Sequence, residues 1–142
     1  MSEITEIEEQ IVEEFELFGD EWEGKYEHLI DLGKTLPKIE EKYKTENNII
    51  QGCQSIVWLH SELKDGKIFF TADSEAIITK GMVALMIRVL NGRSADEIIH
   101  AKLGFIDKIG LKEHLSPTRA NGLVSMINRM KKDAIELKQK QL

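Results

Sequence analysis

The dipeptide Asp65-Gly66 lies between two short runs rich in apolar and aromatic residues, at 56–63 and 67–72. An Asp-Gly pair between two strand-like runs is among the strongest short-range signals for a two-residue hairpin turn. We therefore predict two antiparallel strands at these positions. Because helical patterns flank the hairpin on both sides, the chain is predicted to have an α+β fold with one small antiparallel sheet.

If Asp65 and Gly66 form the turn, the register of the two strands follows from it. The expected opposite pairs are Lys64 with Lys67, Leu63 with Ile68, Ser61 with Phe70, and Leu59 with Ala72. One face is apolar and is predicted to be the core face; it consists of Val57, Leu59, Leu63, Ile68 and Phe70. The other face consists of Trp58, His60, Glu62, Phe69 and Thr71. Trp58 and Phe69 are either covered by a helix or part of a partner-binding patch, and we expect a helix to cover them.

Two helices are predicted before the hairpin. Apolar residues at helical spacing indicate an amphipathic helix over about 3–17 with an acidic outer face. After a break at Gly19, Asp20 and Glu23 resemble a capping box that opens the second helix. Pro37 lies at the end of that helix or just beyond it. The inner side of the second helix is expected to comprise Trp22, Tyr26, Leu29, Ile30 and Gly33.

A third, largely apolar helix is predicted directly after the hairpin. Asp73 and Ser74 are two candidate N-caps for a helix over about 75–90. Asn91-Gly92 is a typical helix terminator, since glycine readily adopts the left-handed conformation at a C-terminus.

Two further helices are predicted in the last third of the chain. Ser94 with Glu97 forms a capping box for a short helix, and Ser116-Pro117 is typical of a helix start. The inner stripe of the last helix is predicted to be Leu123, Met126, Ile127, Met130, Ala134 and Leu137. A length of 142 residues suits one domain with its own core. We therefore predict a single domain over 1–142, in which helices cover the small sheet.

Charge and hydropathy disfavour several classes of partner. The net charge is -6 and the isoelectric point is about 5.3, which argues against a nucleic-acid-binding surface. The longest apolar stretch, 76–90, is interrupted by charged residues and is too short to span a membrane. The start of the chain is acidic and does not resemble a secretory signal. A cytoplasmic protein with a reduced thiol is the expectation.

Cys53 is the only cysteine of the chain, so an intramolecular disulfide is excluded. A lone cysteine is often a small core hydrophobe. Here, however, Asn47-Asn48 and Gly52 are turn formers, which predict a loop with positive φ beside the sulfur. Cys53 shares the strand parity of Val57, so its sulfur would point inward if the strand ran straight back to it, a direction that Gly52 can relax. A thiol on a loop is more often available for chemistry than one inside a helix stripe.

Other catalytic patterns are not found in the sequence. The four histidines lack the close spacing of metal ligands, and one cysteine cannot complete a zinc ribbon, so no metal site is predicted. The phosphate-loop and nucleophile-elbow motifs do not occur either. A thiol enzyme of the Cys-His type is disfavoured, because the register places His60 on the face opposite to the parity of Cys53.

Several stretches of the chain closely resemble the SufE family. They are WEGKY at 22–26, LIDLG at 29–33, IQGCQS at 50–55 with Val57-Trp58, DSEAIITKG at 73–81, and LSPTR at 115–119 with Gly122-Leu123. The resemblance covers about residues 15–135, while the N-terminal helix is less diagnostic. Glu75 stands where many relatives have Asp, which is a conservative departure.

The resemblance implies a sulfur acceptor of iron-sulfur cluster assembly with an α+β fold similar to IscU-type scaffolds. A pyridoxal-phosphate cysteine desulfurase of the SufS or CsdA type would transfer sulfur to Cys53 as a persulfide. The protein would stimulate that desulfurase and deliver the sulfur to a scaffold complex of the SufBCD type. It would itself bind no cofactor, and it would be a carrier rather than an enzyme. A thiolate that attacks a persulfide needs one nucleophile, and a second cysteine would release the sulfur as sulfide.

The loop around the cysteine supplies the other candidate site residues. Gln51 and Gln54 are predicted to donate amide hydrogen bonds to the sulfur or to loop carbonyls, and Gly52 and Ser55 complete the loop. Asp73 is predicted to cap the third helix and to contact this loop.

Arg119 belongs to the LSPTR stretch, near the start of the last helix, and has two interpretations. It is either a surface residue paired with an acid, or its guanidinium lies near the cysteine loop or at the partner surface, where it would stabilise a thiolate or persulfide.

Two alternative functions stay open at this point. An IscU-like scaffold would share the fold, but it needs several cysteines or equivalent ligands to hold a cluster. A non-catalytic interaction module that regulates a desulfurase is the stronger alternative. Replacement of Cys53 by Ser separates it from the carrier, because only the carrier would lose its function.

Overall fold

The hairpin is formed by strand β1 (Val57–Lys64) and strand β2 (Lys67–Ser74), which pair antiparallel in a computed structural model that describes residues 3–141. Asp65 and Gly66 both have positive φ, at 54° and 79°, as a two-residue turn of the primed type requires. All four predicted cross-strand pairs are confirmed. Strand β2 runs two residues further than predicted, because Ser74 pairs with Val57 at the open end, whereas β1 has the predicted length but is shifted by one residue.

Helices surround this hairpin and confirm the α+β fold. Two precede it: α1 (Glu3–Glu16) and α2 (Trp22–Lys34). Four follow it: α3 (Ile77–Leu90), α4 (Ala95–His100), α5 (Phe105–Lys108) and α6 (Pro117–Gln141). Short 3-10 turns lie at Glu41–Tyr43, Glu46–Asn48 and Lys112–His114. The helix predicted over about 3–17 and the helix starting after Ser116 are thus confirmed.

The core lies between the predicted inner face of the hairpin and helix α3. Val57, Leu59, Ile68 and Phe70 are buried, and Leu63 packs against them. Helix α3 is buried along nearly its whole length, which explains why its sequence is apolar on all sides. The stripe predicted for α6 also faces this core, with Leu123, Met126, Met130 and Ala134 fully buried.

The outer face of the hairpin differs from the prediction. The ring of Tyr43 stacks on His60 at 3.6 Å between centroids, and Lys44 Nζ lies 5.2 Å from the centre of the Trp58 ring. Both partners come from the segment with two 3-10 turns that leads to β1, not from the expected helix. Phe69 stays 39% exposed. The helix-cover prediction was wrong because this segment crosses the outer face before it pairs Ile49 with Trp58.

The caps proposed for α2 and α3 were also wrong. Helix α2 has Glu21 as its N-cap, without a side-chain cap bond, so Asp20 lies one residue too early to cap it. Helix α3 has Ala76 as its N-cap, because Asp73 and Ser74 are still part of strand β2. Pairing of β2 with β1 therefore prevails over the local capping preference of these two residues.

Other local signals predicted the structure correctly. Ser94 and Glu97 form the reciprocal capping box of α4, and the Ser116 hydroxyl accepts a hydrogen bond from the Arg119 N–H at 3.3 Å. Asn91 is the C-cap of α3, followed by Gly92 with φ +74°. Helix α5 was not predicted, because four residues are too few to show a helical period. Within residues 3–141, no helix combines the length and the apolar character needed to cross a bilayer.

Candidate functional site

The loop that carries Cys53 lies directly against helix α6. Gly52 has φ +93°, as predicted for a glycine at this turn. A Cβ atom at this position would lie 2.4 Å from the Ser125 Oγ of α6, closer than real Cβ contacts come. Glycine is therefore required here for two reasons, its positive φ and the close approach of the loop to α6.

The sulfur of Cys53 points inward and is half-buried, although residues 51–55 include turns and bends and do not continue strand β1. The Cys53 thiol donates a weak hydrogen bond to the carbonyl oxygen of Gly122, with Sγ and O 3.6 Å apart. Gly122 has no side chain, and a Cβ there would lie in van der Waals contact with the sulfur, at 3.6 Å. Burial raises the pKa of the Cys53 thiol above its usual range, since the thiolate is poorly solvated there. The resting group is thus a protonated, sheltered thiol.

A small pocket of about 60 Å³ opens beside this sulfur. The buried side chains of Met82 and Met126 form part of its wall, and Thr79 and Thr118 add hydroxyl groups. This volume exceeds what a single water molecule requires. The pocket is therefore large enough for one additional atom attached to Cys53.

The predicted loop residues are distributed unevenly around the pocket. Gln54 and Ser55 line it together with Cys53, whereas the exposed Gln51 is not among the lining residues. The sulfur makes its hydrogen bond with a backbone carbonyl of α6. Hydrogen bonds from the side-chain amides of Gln51 or Gln54 to the sulfur or to loop carbonyls stay a prediction. Gly52 shapes the loop and does not line the pocket.

Asp73 joins three parts of the chain instead of capping α3. Its carboxylate lies 3.2 Å from Lys44 Nζ, in the segment that leads to the cysteine loop, and 3.5 Å from Lys80 Nζ of α3. It also accepts a hydrogen bond from the Ser74 N–H at 2.9 Å. Burial opposes its ionisation, but the bonds from Lys44 and Ser74 and the charge of Lys80 outweigh burial, so the pKa of Asp73 is lowered.

Arg119 is exposed and lines the same pocket as Cys53. No ion pair within residues 3–141 involves its guanidinium, although one of our two interpretations paired it with an acid. Arg119 is also the only charged side chain among the described residues that line this pocket. Its placement favours the interpretation in which it acts near the cysteine, and that role stays a prediction.

Sequence reasoning missed how much of helix α6 faces the loop. Gly122, Ser125 and Arg129 contact the loop or the segment before it, and Met126 lines the pocket beside Cys53; the four lie at spacings i, i+3, i+4 and i+7. These spacings place residues on one face of a helix. Met126 was assigned only to the core stripe, and Ser125 and Arg129 were given no role. Their helical spacing alone would have placed these residues on one face of α6, but it would not have shown that this face lies against the cysteine loop.

Among residues 3–141, no group of three or more His, Cys, Asp or Glu side chains is arranged so that it could hold a metal ion.

Comparison with known proteins finds one matching family profile and several similar proteins. The family profile described as "SufE: Fe-S metabolism associated domain" matches residues 9–134. An uncharacterized SufE-like protein of Rhizobium meliloti (strain 1021) is 44% identical over 131 residues, which cover 89% of this chain and 93% of that protein. The sulfur acceptor protein CsdE of Escherichia coli (strain K12) is 37% identical over 105 residues, covering 72% of this chain and 71% of CsdE.

Two further relatives extend the comparison. The SufE-like protein 1, chloroplastic/mitochondrial, of Arabidopsis thaliana is 36% identical over 140 residues, which cover 96% of this chain but 38% of that protein. The solution structure of a hypothetical protein from Thermus thermophilus matches with a TM-score of 0.76 and 21% identity. The match covers 92% of this chain and 94% of that one, and at this identity it shows the fold alone.

Proposed function

Because this chain belongs to the SufE family, we propose that it is a sulfur acceptor in Fe-S metabolism and that Cys53 carries the sulfur. The observation that carries the proposal is the position of Cys53. It is the single cysteine of the chain, it lies on a loop, and its sulfur faces a small pocket lined partly by apolar side chains.

The transfer step requires only a thiolate and a persulfide. The Cys53 thiolate attacks the outer sulfur of a cysteine persulfide on the desulfurase. A new S–S bond forms on Cys53, the S–S bond of the donor breaks, and the donor cysteine leaves as a thiolate. The step involves no net oxidation or reduction. In this proposal the pyridoxal phosphate is bound by the desulfurase, and Cys53 acts without a cofactor of its own.

The resting geometry suits a carrier between transfers. A protonated, half-buried thiol reacts slowly with oxidants, because reactivity follows the thiolate and its exposure. The pocket of about 60 Å³ has room for the terminal sulfur of a persulfide. Transfer then requires that the loop presents Cys53 outward to the partner, where solvation lowers the pKa of its thiol. In this proposal Arg119, an exposed residue that also lines the pocket, stabilises the resulting anion.

The partner is proposed to be a cysteine desulfurase of the SufS or CsdA type, which this protein stimulates by removing its persulfide sulfur. The relative named CsdE supports a sulfur-acceptor role but does not choose between the two types. Delivery to a scaffold complex of the SufBCD type and cytoplasmic residence are part of the same proposal. One relative is named chloroplastic/mitochondrial, and its name does not support a cytoplasmic location.

Desulfurase turnover with and without the Cys53 thiol tests the proposal against a non-catalytic regulator. Alanine formation from L-cysteine is measured without added reductant, in the presence of wild-type protein or Cys53→Ser. The carrier account predicts that only the wild type accelerates turnover. Equal stimulation by both proteins would identify an interaction module and overturn the carrier account.

A further inference from the structure

Helix α6 supports the cysteine loop along one continuous face. Gly122 accepts the hydrogen bond of the Cys53 sulfur, Ser125 lies against Gly52, and Arg129 reaches the segment just before the loop. The loop itself is closed at its base, where the Ile50 N–H donates to the carbonyl of Val57 at 2.9 Å. A contact that holds the base of the loop on α6 therefore also determines how deeply the Cys53 side chain is buried against this helix.

Arg129 makes the polar contacts at this base. Its guanidinium donates to the Asn47 carbonyl at 2.5 Å and to the Ile49 carbonyl at 3.2 Å. Both bonds link residues about eighty positions apart in the chain. The Arg129 side chain is 21% exposed. Hydrogen bonds from a charged donor are stronger than neutral ones, and partial burial reduces their screening by water.

Asp133 orients this guanidinium. One carboxylate oxygen accepts from Arg129 Nε at 3.0 Å, and the other accepts from the Ser61 hydroxyl at 2.7 Å. Asp133 is therefore itself fixed by strand β1. Because the arginine donors form a rigid planar fork, fixing Nε also directs the two terminal nitrogens toward the two carbonyls.

We propose that Arg129 is a positioning residue that keeps Cys53 in its inward resting position by tying residues 47–49 to helix α6. Without this tie, the base of the loop can separate from α6, and Gly52 and Cys53 then lose their contacts with Ser125 and Gly122. The inference rests on the proposed role of Cys53 as acceptor thiol, since it states how the chain controls access to that thiol.

The rate of Cys53 alkylation by iodoacetamide in the free, full-length protein tests this proposal. It is measured as a function of pH for wild type, Arg129→Gln and Arg129→Lys. We expect Arg129→Gln to react about tenfold faster near neutral pH, the effect of losing about 1.4 kcal/mol of loop attachment. The midpoint of the alkylation rate as a function of pH should move to lower pH at the same time. Arg119 is unchanged in every variant, so a lower midpoint reports greater solvation of the thiol.

Two comparisons separate positioning from general loosening. Arg129→Lys keeps one charged donor and should restore part of the wild-type rate. Arg88→Gln removes another partly buried arginine, paired with Glu14 and remote from the loop. It should lower the unfolding temperature while leaving the alkylation rate and midpoint unchanged. If circular dichroism shows that Arg129→Gln does not fold, Arg129→Lys and Asp133→Asn are used for the test instead. Cys53 should be alkylated faster in both of these variants than in the wild type.

The proposal is overturned if the folded Arg129 variants react within about twofold of wild type with an unchanged midpoint, a change smaller than the loss of one net hydrogen bond. It is also overturned if Arg88→Gln accelerates alkylation to the same extent. The assay contains no desulfurase, so its result does not depend on whether Cys53 accepts sulfur. Failure of this proposal and failure of the proposed function are therefore distinguishable.

Discussion

Gly52 and Ser125 approach so closely that a Cβ atom on Gly52 would lie 2.4 Å from the Ser125 hydroxyl oxygen. The residue next to the Cys53 thiol is thus packed against α6 so tightly that a side chain there would require Ser125 or the loop to shift. Because Gly52 also has φ +93°, which side chains rarely adopt, we expect this glycine to contribute to the inward position of Cys53.

Replacement of Gly52 by Ala should therefore move the loop off α6. We expect a loss of about 1–3 kcal/mol in the free energy of unfolding, from strained φ and from the contact with Ser125. Denaturant unfolding measures this loss, and faster alkylation of Cys53 should accompany it. Gly66→Ala is the matched control, since Gly66 has φ +79° but nothing within 4 Å of a Cβ atom. Faster alkylation in both variants, or in neither, would contradict this account.

The pH dependence of Cys53 reactivity follows from its burial. Burial raises the pKa of this thiol, so alkylation in the free protein should increase with pH through a midpoint above that of an exposed cysteine, about 8.5. Binding of the desulfurase should shift this midpoint downward and accelerate alkylation, because the loop then presents the thiol outward. Rates that are equal with and without the partner over the whole pH range would rule out this presentation step.

Arg119 should contribute to sulfur transfer and not to folding. We expect Arg119→Lys to accept sulfur about tenfold more slowly than wild type, since an ammonium group cannot reproduce the planar guanidinium fork. The unfolding temperature should be unchanged, because Arg119 is exposed. Lys132→Gln removes an exposed cation from the same helix, away from the pocket, and serves as the control. Full sulfur acceptance by Arg119→Lys would restore the interpretation of Arg119 as an ordinary surface residue.

Asp73 should stabilise the fold at neutral pH but not in acid. Its pKa is lowered in the folded state, so its contribution is fully present above the unfolded pKa of about 4 and is lost as pH falls through the folded pKa. We expect Asp73→Asn to cost about 1 kcal/mol at pH 7. The difference from wild type should vanish toward pH 2. Glu75→Gln, which removes an exposed charge nearby, should have little effect at either pH.

A difference between wild type and Asp73→Asn that persists unchanged in acid would contradict the ion-pair account of Asp73. It would indicate that the variant acts through packing instead. Unfolding in urea, which does not screen ion pairs, makes this distinction when both variants are measured in parallel at several pH values.

Features governed by local chemistry could be predicted from the sequence. Asp65-Gly66 and the alternation of Leu59 and Leu63 with polar residues determine both the hairpin register and its core face. Ser94 with Glu97 likewise predicted a helix start that the structure confirms. The inward direction of Cys53 does not follow from strand parity, because residues 51–55 include turns and bends before β1 begins.

Features that depend on distant pairing could not be predicted in this way. Ser74 pairs with Val57, so the strand includes residues that locally favour a helix cap. Arg129 contacts backbone carbonyls near the loop, and a carbonyl has no sequence signature that indicates its partner. The neighbours of Trp58 could not be predicted for the same reason. They come from the segment with two 3-10 turns and not from the expected helix.

The most direct test of the central claim is the intact mass of this protein after incubation with a cysteine desulfurase and L-cysteine. Wild type and Cys53→Ser are compared, with SufS-type and CsdA-type desulfurases in parallel. The account predicts that the wild type alone gains the mass of sulfur and that a reductant removes it. No gain on the wild type with either active desulfurase, or an equal gain on Cys53→Ser, would contradict the claim that Cys53 is the sulfur acceptor.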